Sequence, residues 1–203
     1  MIKAILFDLN GVLINSEGLN IEVWKRVFEN YHLEFNRQLY SQSIDGRRTI
    51  EIAQKYVGEE KIKEFVELKD RLWHNLFVEI GINIFDDTIP FLEKLKKLDI
   101  KTAVISSSRK GKYILDNLDM SKYFDIVIGG EDIVSGKPSP EIVLKALNHL
   151  NMAANDVALV EDSVAGLKAG KEAGVYCIAI KRNEKKAFIE YDQLVNNLNE
   201  IKI

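Results

Sequence analysis

Five short apolar runs, each bounded by polar residues or glycine, most strongly limit what this chain can fold into. Apolar runs of about four to eight residues with such boundaries are typical of buried parallel strands. The runs are Lys3–Leu9, Lys101–Ser106, Phe124–Gly129, Val157–Glu161 and Val175–Ile180. Helical patterns lie between the later runs, and such alternation indicates a doubly wound sheet. The sequence therefore predicts an α/β fold with a Rossmann-like, parallel, five-stranded core sheet.

Two helices between these runs carry recognisable end signals. Ser139 is placed to cap the N-terminus of a helix whose first residue would be Pro140. Proline suits that position because its missing N–H would have no partner there in any case. Gly174 ends the last helical pattern and is the expected C-cap.

The stretch from Asn15 to Ile84 has no strand signal and is longer than a plain strand–helix–strand connection. It carries two apolar stripes at helical spacing. The stripes are Ile21, Trp24, Val27, Phe28 and Tyr31, and then Ile62, Phe65, Val66, Leu72, Trp73, Leu76, Phe77 and Ile80. We therefore predict an all-helical cap subdomain at 16–84, inserted into a core formed by 1–15 and 85–203. Linkers are expected near Ile14–Leu19 and Ile80–Phe85.

Composition excludes several classes of protein. The chain has 203 residues, of which 46% are hydrophobic, enough for one domain with an insertion. Its net charge is −3 with no basic stripe, so no nucleic acid partner is expected. The single cysteine, Cys177, lies in an apolar run and is expected in a core strand. The start, MIKAILF, has no hydrophobic stretch of signal-peptide or membrane length, so we predict a cytoplasmic protein without a membrane partner. We also predict a monomer.

Polar residues follow four of the predicted strands. In open α/β sheets, ligands bind beyond the carboxyl ends of the strands, where the strand order reverses. The residues delivered there are Asp8 and Asn10, then Ser106–Ser108, then Lys137, and finally Glu161 and Asp162. Each has an ordinary structural explanation when taken alone, such as a turn, an N-cap or a surface loop. The ordered combination predicts one site for phosphoryl transfer.

Each residue type at this edge has a role in such chemistry. An aspartate such as Asp8 can attack phosphorus and carry the phosphoryl group covalently. Carboxylates from two strands can hold Mg²⁺, a cation that prefers oxygen ligands and neutralises phosphate charge. Lys137 and the hydroxyl of Ser106 can bind the remaining phosphate oxygens. The expected partner is a small phosphorylated metabolite, and the expected cofactor is Mg²⁺.

In these motifs the sequence resembles the haloacid dehalogenase superfamily of phosphohydrolases. The matching segments are FDLNGVL at 7–13, VISSS at 104–108, GKPSP at 136–140 and VEDSVAGLKAGKEAG at 160–174. The helical insert is similar to the family's cap, and the resemblance covers essentially the whole chain. The chain is most similar to the branch of β-phosphoglucomutases and sugar-phosphate phosphatases.

The resemblance implies a role for each motif residue. Asp8 would form an aspartyl phosphate. Mg²⁺ would be held by Asp8, by the backbone carbonyl of Asn10 and by Asp162, with Glu161 close by. Ser106, Ser107 and Lys137 would bind the transferring phosphoryl group. The cap would close over the site and select the substrate.

The segment DGRRT at 45–49 resembles the family's substrate loop. Gly46, Arg47 and Arg48 are therefore candidates for binding a distal phosphate or a sugar. Solvated arginines at a helix start explain the same residues equally well.

Asn10 departs from the family pattern, which has aspartate there as the general acid and base. An amide can donate and accept hydrogen bonds but cannot transfer a proton near neutral pH. Loss of such a group costs about 10²–10⁴-fold in rate. An engineered substitution, a natural variant with slow or altered chemistry, and transfer of the role to another residue all remain open.

The leading hypothesis is a Mg²⁺-dependent phosphatase of a small phosphorylated metabolite, impaired or trapped by Asn10. The alternatives are a β-phosphoglucomutase-like phosphomutase and a silenced phosphometabolite-binding protein. Asn20 weakens the mutase alternative, because relatives often have histidine there. A dinucleotide-binding domain is disfavoured because no G-x-G-x-x-G follows the first strand.

Overall fold

The computed structural model describes residues 2–182 and 188–202. The chain divides into two compact units. The first unit comprises Met1–Ile14 and Ile84–Ile203, and the second comprises Asn15–Asn83. None of the helices in the described ranges combines the length and the apolar character that crossing a membrane would need.

Eight strands lie in the described part of the chain. They are β1 (Ala4–Phe7), β2 (Ile14–Asn15), β3 (Asn83–Ile84), β4 (Lys101–Ile105), β5 (Ile126–Ile128), β6 (Val157–Glu161), β7 (Tyr176–Ile180) and β8 (Gln193–Val195). Six form a parallel sheet in the order β5-β4-β1-β6-β7-β8, and β2 pairs with β3. The chain runs outward from β1 through β4 to β5 and then returns to the other side of β1 at β6. The strand order therefore reverses beside β1.

The predicted α/β fold class is confirmed, but the sheet has six strands rather than five. Each of the five apolar runs contains one strand. The sixth strand, β8, is only three residues long and lies at the edge of the sheet, with Leu194 exposed. β8 has the sequence Gln193-Leu194-Val195 and buries only Val195, so it is not a continuous apolar run, unlike the equally short strand β5 at the other edge. The hydrophobic pattern of the sequence could therefore not predict β8.

Eight α-helices are described, four in each unit. They are α1 (Glu17–Asn30), α2 (Arg37–Leu39), α3 (Thr49–Tyr56), α4 (Ile62–Ile80), α5 (Thr88–Lys97), α6 (Gly111–Asn117), α7 (Glu141–Leu150) and α8 (Val164–Ala173). Gly174 is the C-cap of α8, as predicted, with a left-handed φ of 77°. The predicted start of α7 is wrong by one position. Pro140 is its N-cap, and the hydroxyl of Ser139 accepts a hydrogen bond from the amide of Glu141.

The second unit is helical and is built around an aromatic cluster. Helices α1 and α4 pack together, and the ring of Phe28 lies edge-on to Tyr56 and Phe65, with centroids 5.0 and 6.4 Å away. Most of the burial on α4 follows the predicted stripe. Ile80 is an exception, because it is the last residue of the helix and is 61% exposed.

The first unit has a tightly packed core between the sheet and the helices α7 and α8. Cys177 lies in β7 and is fully buried, as its apolar surroundings predicted. Helix α8 lies close to the sheet because Gly170 has no side chain. A Cβ at that position would lie 2.6 Å from Cys177 Sγ and 2.7 Å from a methyl group of Leu159.

We expect Gly170→Ala to destabilise the protein by about 1–3 kcal/mol, because the added methyl group overpacks the core. Urea unfolding measures the loss. Gly18→Ala is the matched control, since nothing lies within 4 Å of the methyl group that it would add to α1. The same unfolding midpoint for Gly170→Ala and the unsubstituted protein would contradict this packing.

Candidate active site

The register of the sheet sets Asp8 beside Glu161. Phe7 in β1 pairs with Val104 in β4 and with Val160 in β6. One position further along, Asp8 is therefore level with Ile105 and Glu161. Corresponding positions on neighbouring parallel strands direct their side chains to the same face of a sheet. Two acidic side chains from strands far apart in sequence thus meet at the carboxyl edge.

Lys137 joins these two carboxylates. Its Nζ lies 2.6 Å from Asp8 Oδ1, 2.7 Å from Glu161 Oε2 and 3.4 Å from the carbonyl oxygen of Ile105. The three N–H groups of the ammonium therefore each have an acceptor. The side chain of Lys137 is 1% exposed, and the peptide bond that follows it, to Pro138, is cis.

The surroundings of Lys137 keep it charged. Burial by itself lowers the pKa of a lysine, because it disfavours the charged form. Here the charges of Asp8 and Glu161, and the hydrogen bonds to them, outweigh that effect. The pKa of Lys137 is therefore raised above its ordinary value of 10.5.

Glu161 is held by the turn that follows β6. Its Oε1 accepts hydrogen bonds from the amides of Asp162 and Ser163 and from the hydroxyl of Ser163. The same hydroxyl accepts from the amide of Gly166 and caps α8. A Cβ on Gly166 would collide with the carboxylate of Glu161. Glu161 therefore uses Oε1 to hold the start of α8 and Oε2 to hold Lys137.

Asp162 lies over the loop that follows β1. Gly11 in that loop has a φ of 77°, and a Cβ there would collide with the Asp162 carboxylate. Only glycine satisfies both the backbone conformation and the close approach. The preceding residue, Asn10, is half-buried and forms an isolated bridge with Ile14.

The predicted serines follow β4. Ser106 is buried, and its amide donates to the carbonyl of Ile128 in the neighbouring strand β5. Its hydroxyl accepts a hydrogen bond from the amide of Ser108, 3.2 Å away. Ser107 lies between them and is half-buried. Ser106 directly follows Ile105, whose carbonyl oxygen accepts a hydrogen bond from Lys137. Ser106 is therefore next along the chain to a residue that contacts the carboxylate cluster.

The donor set of the cluster fits a hard divalent cation. Asp8, Glu161 and Asp162 are buried, and each offers a carboxylate oxygen within 4.8 Å of the others. With Lys137 as the neighbouring cation, three carboxylates leave two negative charges in excess. All-oxygen ligation is typical of Mg²⁺, whereas Zn²⁺ usually takes histidine or cysteine. The residues present therefore suit Mg²⁺.

Gly46, Arg47 and Arg48 lie in the second unit, after a π-helical turn at Tyr40–Ile44. Gly46 has a φ of 76°, and Arg48 is the N-cap residue of α3. The Arg48 guanidinium lies 4.0 Å from Glu51, whereas Arg47 is exposed. Their predicted role in substrate binding stays a prediction.

The sequence predicts a tight turn at Gly11, but it did not assign Gly11, Ser163 or Gly166 to the site. Ser163 had a readable signal, because a serine directly before a helical pattern is a common N-cap. No sequence signal indicated that Gly11 or Gly166 belongs to the site. Their importance comes from carboxylates that approach them in space.

Comparison with known proteins shows what the chain is similar to. A family model described as haloacid dehalogenase-like hydrolase matches residues 5–180. The chain is 29% identical to the phosphorylated carbohydrates phosphatase of Thermotoga maritima, in a match covering 98% of this chain and 99% of that protein. It is 28% identical to the beta-phosphoglucomutase of Bacillus subtilis, covering 90% of this chain and 84% of that protein.

Solved structures share the fold of this chain. The crystal structure of CbbY from Rhodobacter sphaeroides in complex with phosphate superposes with a TM-score of 0.85. That match covers 98% of this chain and 96% of CbbY at 23% identity. The superposition shows a shared fold, and at 23% identity it shows the fold alone.

We expect Lys137→Met to destabilise the metal-free protein by about 3–5 kcal/mol, because two buried carboxylates lose the cation that compensates them. Urea unfolding with a chelator present measures the loss. Lys101→Met is the control, since Lys101 pairs with Asp125 at the surface and should change little. Equal unfolding midpoints for the two variants would contradict this assignment.

The pH dependence of that contribution follows from the raised pKa. The stabilisation by Lys137 is fully present below pH 10.5 and is lost as the pH rises through the higher pKa of the folded state. An alkaline unfolding series should therefore show this loss in the unsubstituted protein and not in Lys137→Met.

Proposed function

Because the chain belongs to the haloacid dehalogenase-like hydrolases, in their β-phosphoglucomutase-like branch, we propose that it is a phosphatase of a small phosphorylated metabolite, such as a sugar phosphate. The observation that carries this proposal is the contact of Lys137 with Asp8 inside a buried cluster of three carboxylates. The phosphatase relative of Thermotoga maritima, matched over almost its whole length, supports the same reaction class.

In the proposed reaction, Asp8 is the nucleophile. One of its carboxylate oxygens forms a bond to phosphorus while the bond from phosphorus to the leaving oxygen breaks. The aspartyl phosphate is then hydrolysed by water, which releases inorganic phosphate and restores Asp8. Mg²⁺, held by Asp8, Asp162 and the backbone carbonyl of Asn10, would neutralise the charge of the phosphoryl group. Glu161 would lie beside it.

Lys137 and Ser106 position the phosphoryl group. Lys137 carries a full positive charge at neutral pH, because its pKa is raised. That charge offsets the repulsion between a phosphate and the nearby carboxylates. The hydroxyl of Ser106 accepts from the amide of Ser108 and so keeps its own hydrogen for donation to a phosphate oxygen. We propose Ser107 as a further phosphate-binding residue on the same turn.

The second unit is proposed to be the cap that selects the substrate, with Gly46, Arg47 and Arg48 binding the part of the substrate remote from the reacting phosphate. The monomeric state and the cytoplasmic location are further expectations of the same proposal.

Asn10 makes the proposed enzyme slow. The leaving oxygen needs a proton in the first step, and the attacking water must lose one in the second. An amide can do neither near neutral pH. The loss should be larger for an alkyl leaving group such as a sugar hydroxyl than for an aryl oxide, which leaves without help from an acid.

We expect Asn10→Asp to raise kcat/KM for a sugar phosphate by about 10²–10⁴-fold in the presence of Mg²⁺, and to raise that for p-nitrophenyl phosphate less. Phosphate release measures both. Asp8→Ala, added to Asn10→Asp, should abolish turnover. Asp86→Ala, which removes an exposed carboxylate, should retain it.

Two results would redirect the proposal. Turnover that survives Asp8→Ala would exclude Asp8 as the nucleophile. A thermal shift with sugar phosphates but no turnover, even after Asn10→Asp, would identify a phosphometabolite-binding protein that has lost catalysis.

A phosphomutase is the second candidate, favoured by the match to the Bacillus subtilis beta-phosphoglucomutase. Asn20 weakens this candidate, because relatives often have histidine at that position. Its side-chain oxygen accepts a hydrogen bond from Trp73, and its amide donates one to Ser16, so the side chain is bonded to residues of the second unit. We expect ³¹P NMR of the Asn10→Asp variant with β-glucose 1-phosphate to show inorganic phosphate. Accumulation of glucose 6-phosphate instead would establish the mutase.

A further inference from the structure

Arg182 is a partly buried arginine that lies just beyond the residues matched by the family model. It follows β7, and its side chain is 13% exposed. Nη1 lies 2.7 Å from Asp87 Oδ2, and Nη2 lies 2.7 Å from the carbonyl oxygen of Val12. One guanidinium thus bonds to two segments that are far apart in the sequence.

The guanidinium is shared between Asp87 and Val12. An arginine that served only to neutralise a carboxylate would commonly bind it through two parallel hydrogen bonds. Here Arg182 Nε and Asp87 Oδ1 are buried and have no partner among the described residues. The pair is joined through Nη1 alone, while Nη2 is directed to the Val12 carbonyl. Arg182 therefore makes one hydrogen bond to Asp87 instead of two, and it makes the other to the loop after β1.

Two further contacts hold this arrangement in place. The guanidinium carbon lies 4.1 Å from the centre of the Phe85 ring, a cation–π geometry. Asp87 Oδ2 also accepts from the amide of Leu198, 2.6 Å away. Three separate segments therefore fix the arginine and its partner.

The loop that Arg182 holds carries Asn10. Within it, the amide of Gly11 donates to the carbonyl of Ile14, and the amides of Leu13 and Ile14 donate to the carbonyl of Leu9. These bonds close the turn internally. The carbonyl of Val12 bonds to Arg182, and that of Leu13 accepts from Phe85 and Thr88.

We propose that Arg182 is a positioning residue, which fixes the 10–14 loop and thereby the residue-10 carbonyl offered to the metal ion. The inference rests on the proposed function for its link to Mg²⁺, but the effect on the loop is independent of it. Lysine is a poor replacement for Arg182, because its N–H groups all leave one nitrogen, whereas the guanidinium reaches Asp87 and Val12 from two separate nitrogens held in a plane.

Hydrogen exchange on the full chain tests the proposal. In Arg182→Met and in Arg182→Lys, the amides of Gly11, Leu13 and Ile14 should exchange about tenfold faster, because the loop loses a charged hydrogen bond. The amide of Asp8, which donates to Val160 in the sheet, should keep its protection. Arg26→Met, which removes an exposed arginine paired with Glu22, is the matched control.

Titration with MgCl2 provides the second measurement. Both Arg182 variants should bind Mg²⁺ several-fold more weakly than the unsubstituted protein, and Arg26→Met should bind it equally well. Unchanged loop exchange, or an equal rise at every amide, would overturn the positioning role. Arg182→Lys keeps a charge beside Asp87, so it decides the question if Arg182→Met does not fold.

The two proposals fail in different ways. If the unsubstituted protein does not bind Mg²⁺, the proposed function loses its metal, while exchange at the loop still decides the role of Arg182. If Mg²⁺ binds and loop exchange does not respond, the inference about Arg182 fails and the proposed function stands.

Discussion

A buried ammonium group between carboxylates is the interaction on which the candidate site depends. Asp8 and Glu161 lie side by side and largely out of water, where two like charges repel strongly. Lys137 compensates both and uses its remaining N–H group on a backbone carbonyl. Because its pKa is raised, it is charged throughout the neutral range. The same charge that makes the cluster stable is then available to a bound phosphate, and the excess negative charge that remains suits a divalent cation.

The sheet makes this convergence possible. In a parallel sheet every strand ends at the same edge, so the residues after β1, β4 and β6 become neighbours. The matching register of β1 with both flanking strands then sets Asp8 level with Glu161. Helix α8 begins shortly afterwards, and its N-cap residue Ser163 holds the carboxylate of Glu161. Strand pairing therefore sets Asp8 beside Glu161, and the segments after the strands add Lys137 and Asp162.

Much of this architecture could be predicted because its cause is local. Buried parallel strands require continuous apolar runs, and those runs are visible in the chain. The edge strand β8 was missed because it is short and partly exposed, and α7 begins one residue later than its serine and proline suggested. The convergence of Asp8, Lys137, Glu161 and Asp162 could be predicted because they follow successive strands in an ordered combination, although each has an ordinary explanation when taken alone. The contacts of Arg182 could not be predicted, since they are made with a carbonyl group at Val12 and a carboxylate at Asp87, both far away in the sequence.

The amino-acid sequence alone determined the fold class and the order of the motifs. It also determined that residue 10 is an asparagine. An amide cannot transfer a proton near neutral pH, and that limit belongs to the side chain itself, whatever its surroundings. Only the tertiary structure decided that Glu161 divides its oxygens between Lys137 and the start of α8, and that Gly11 makes room for Asp162. These are relations between side-chain directions on separate strands and turns, and strand pairing sets those directions only once the chain has folded.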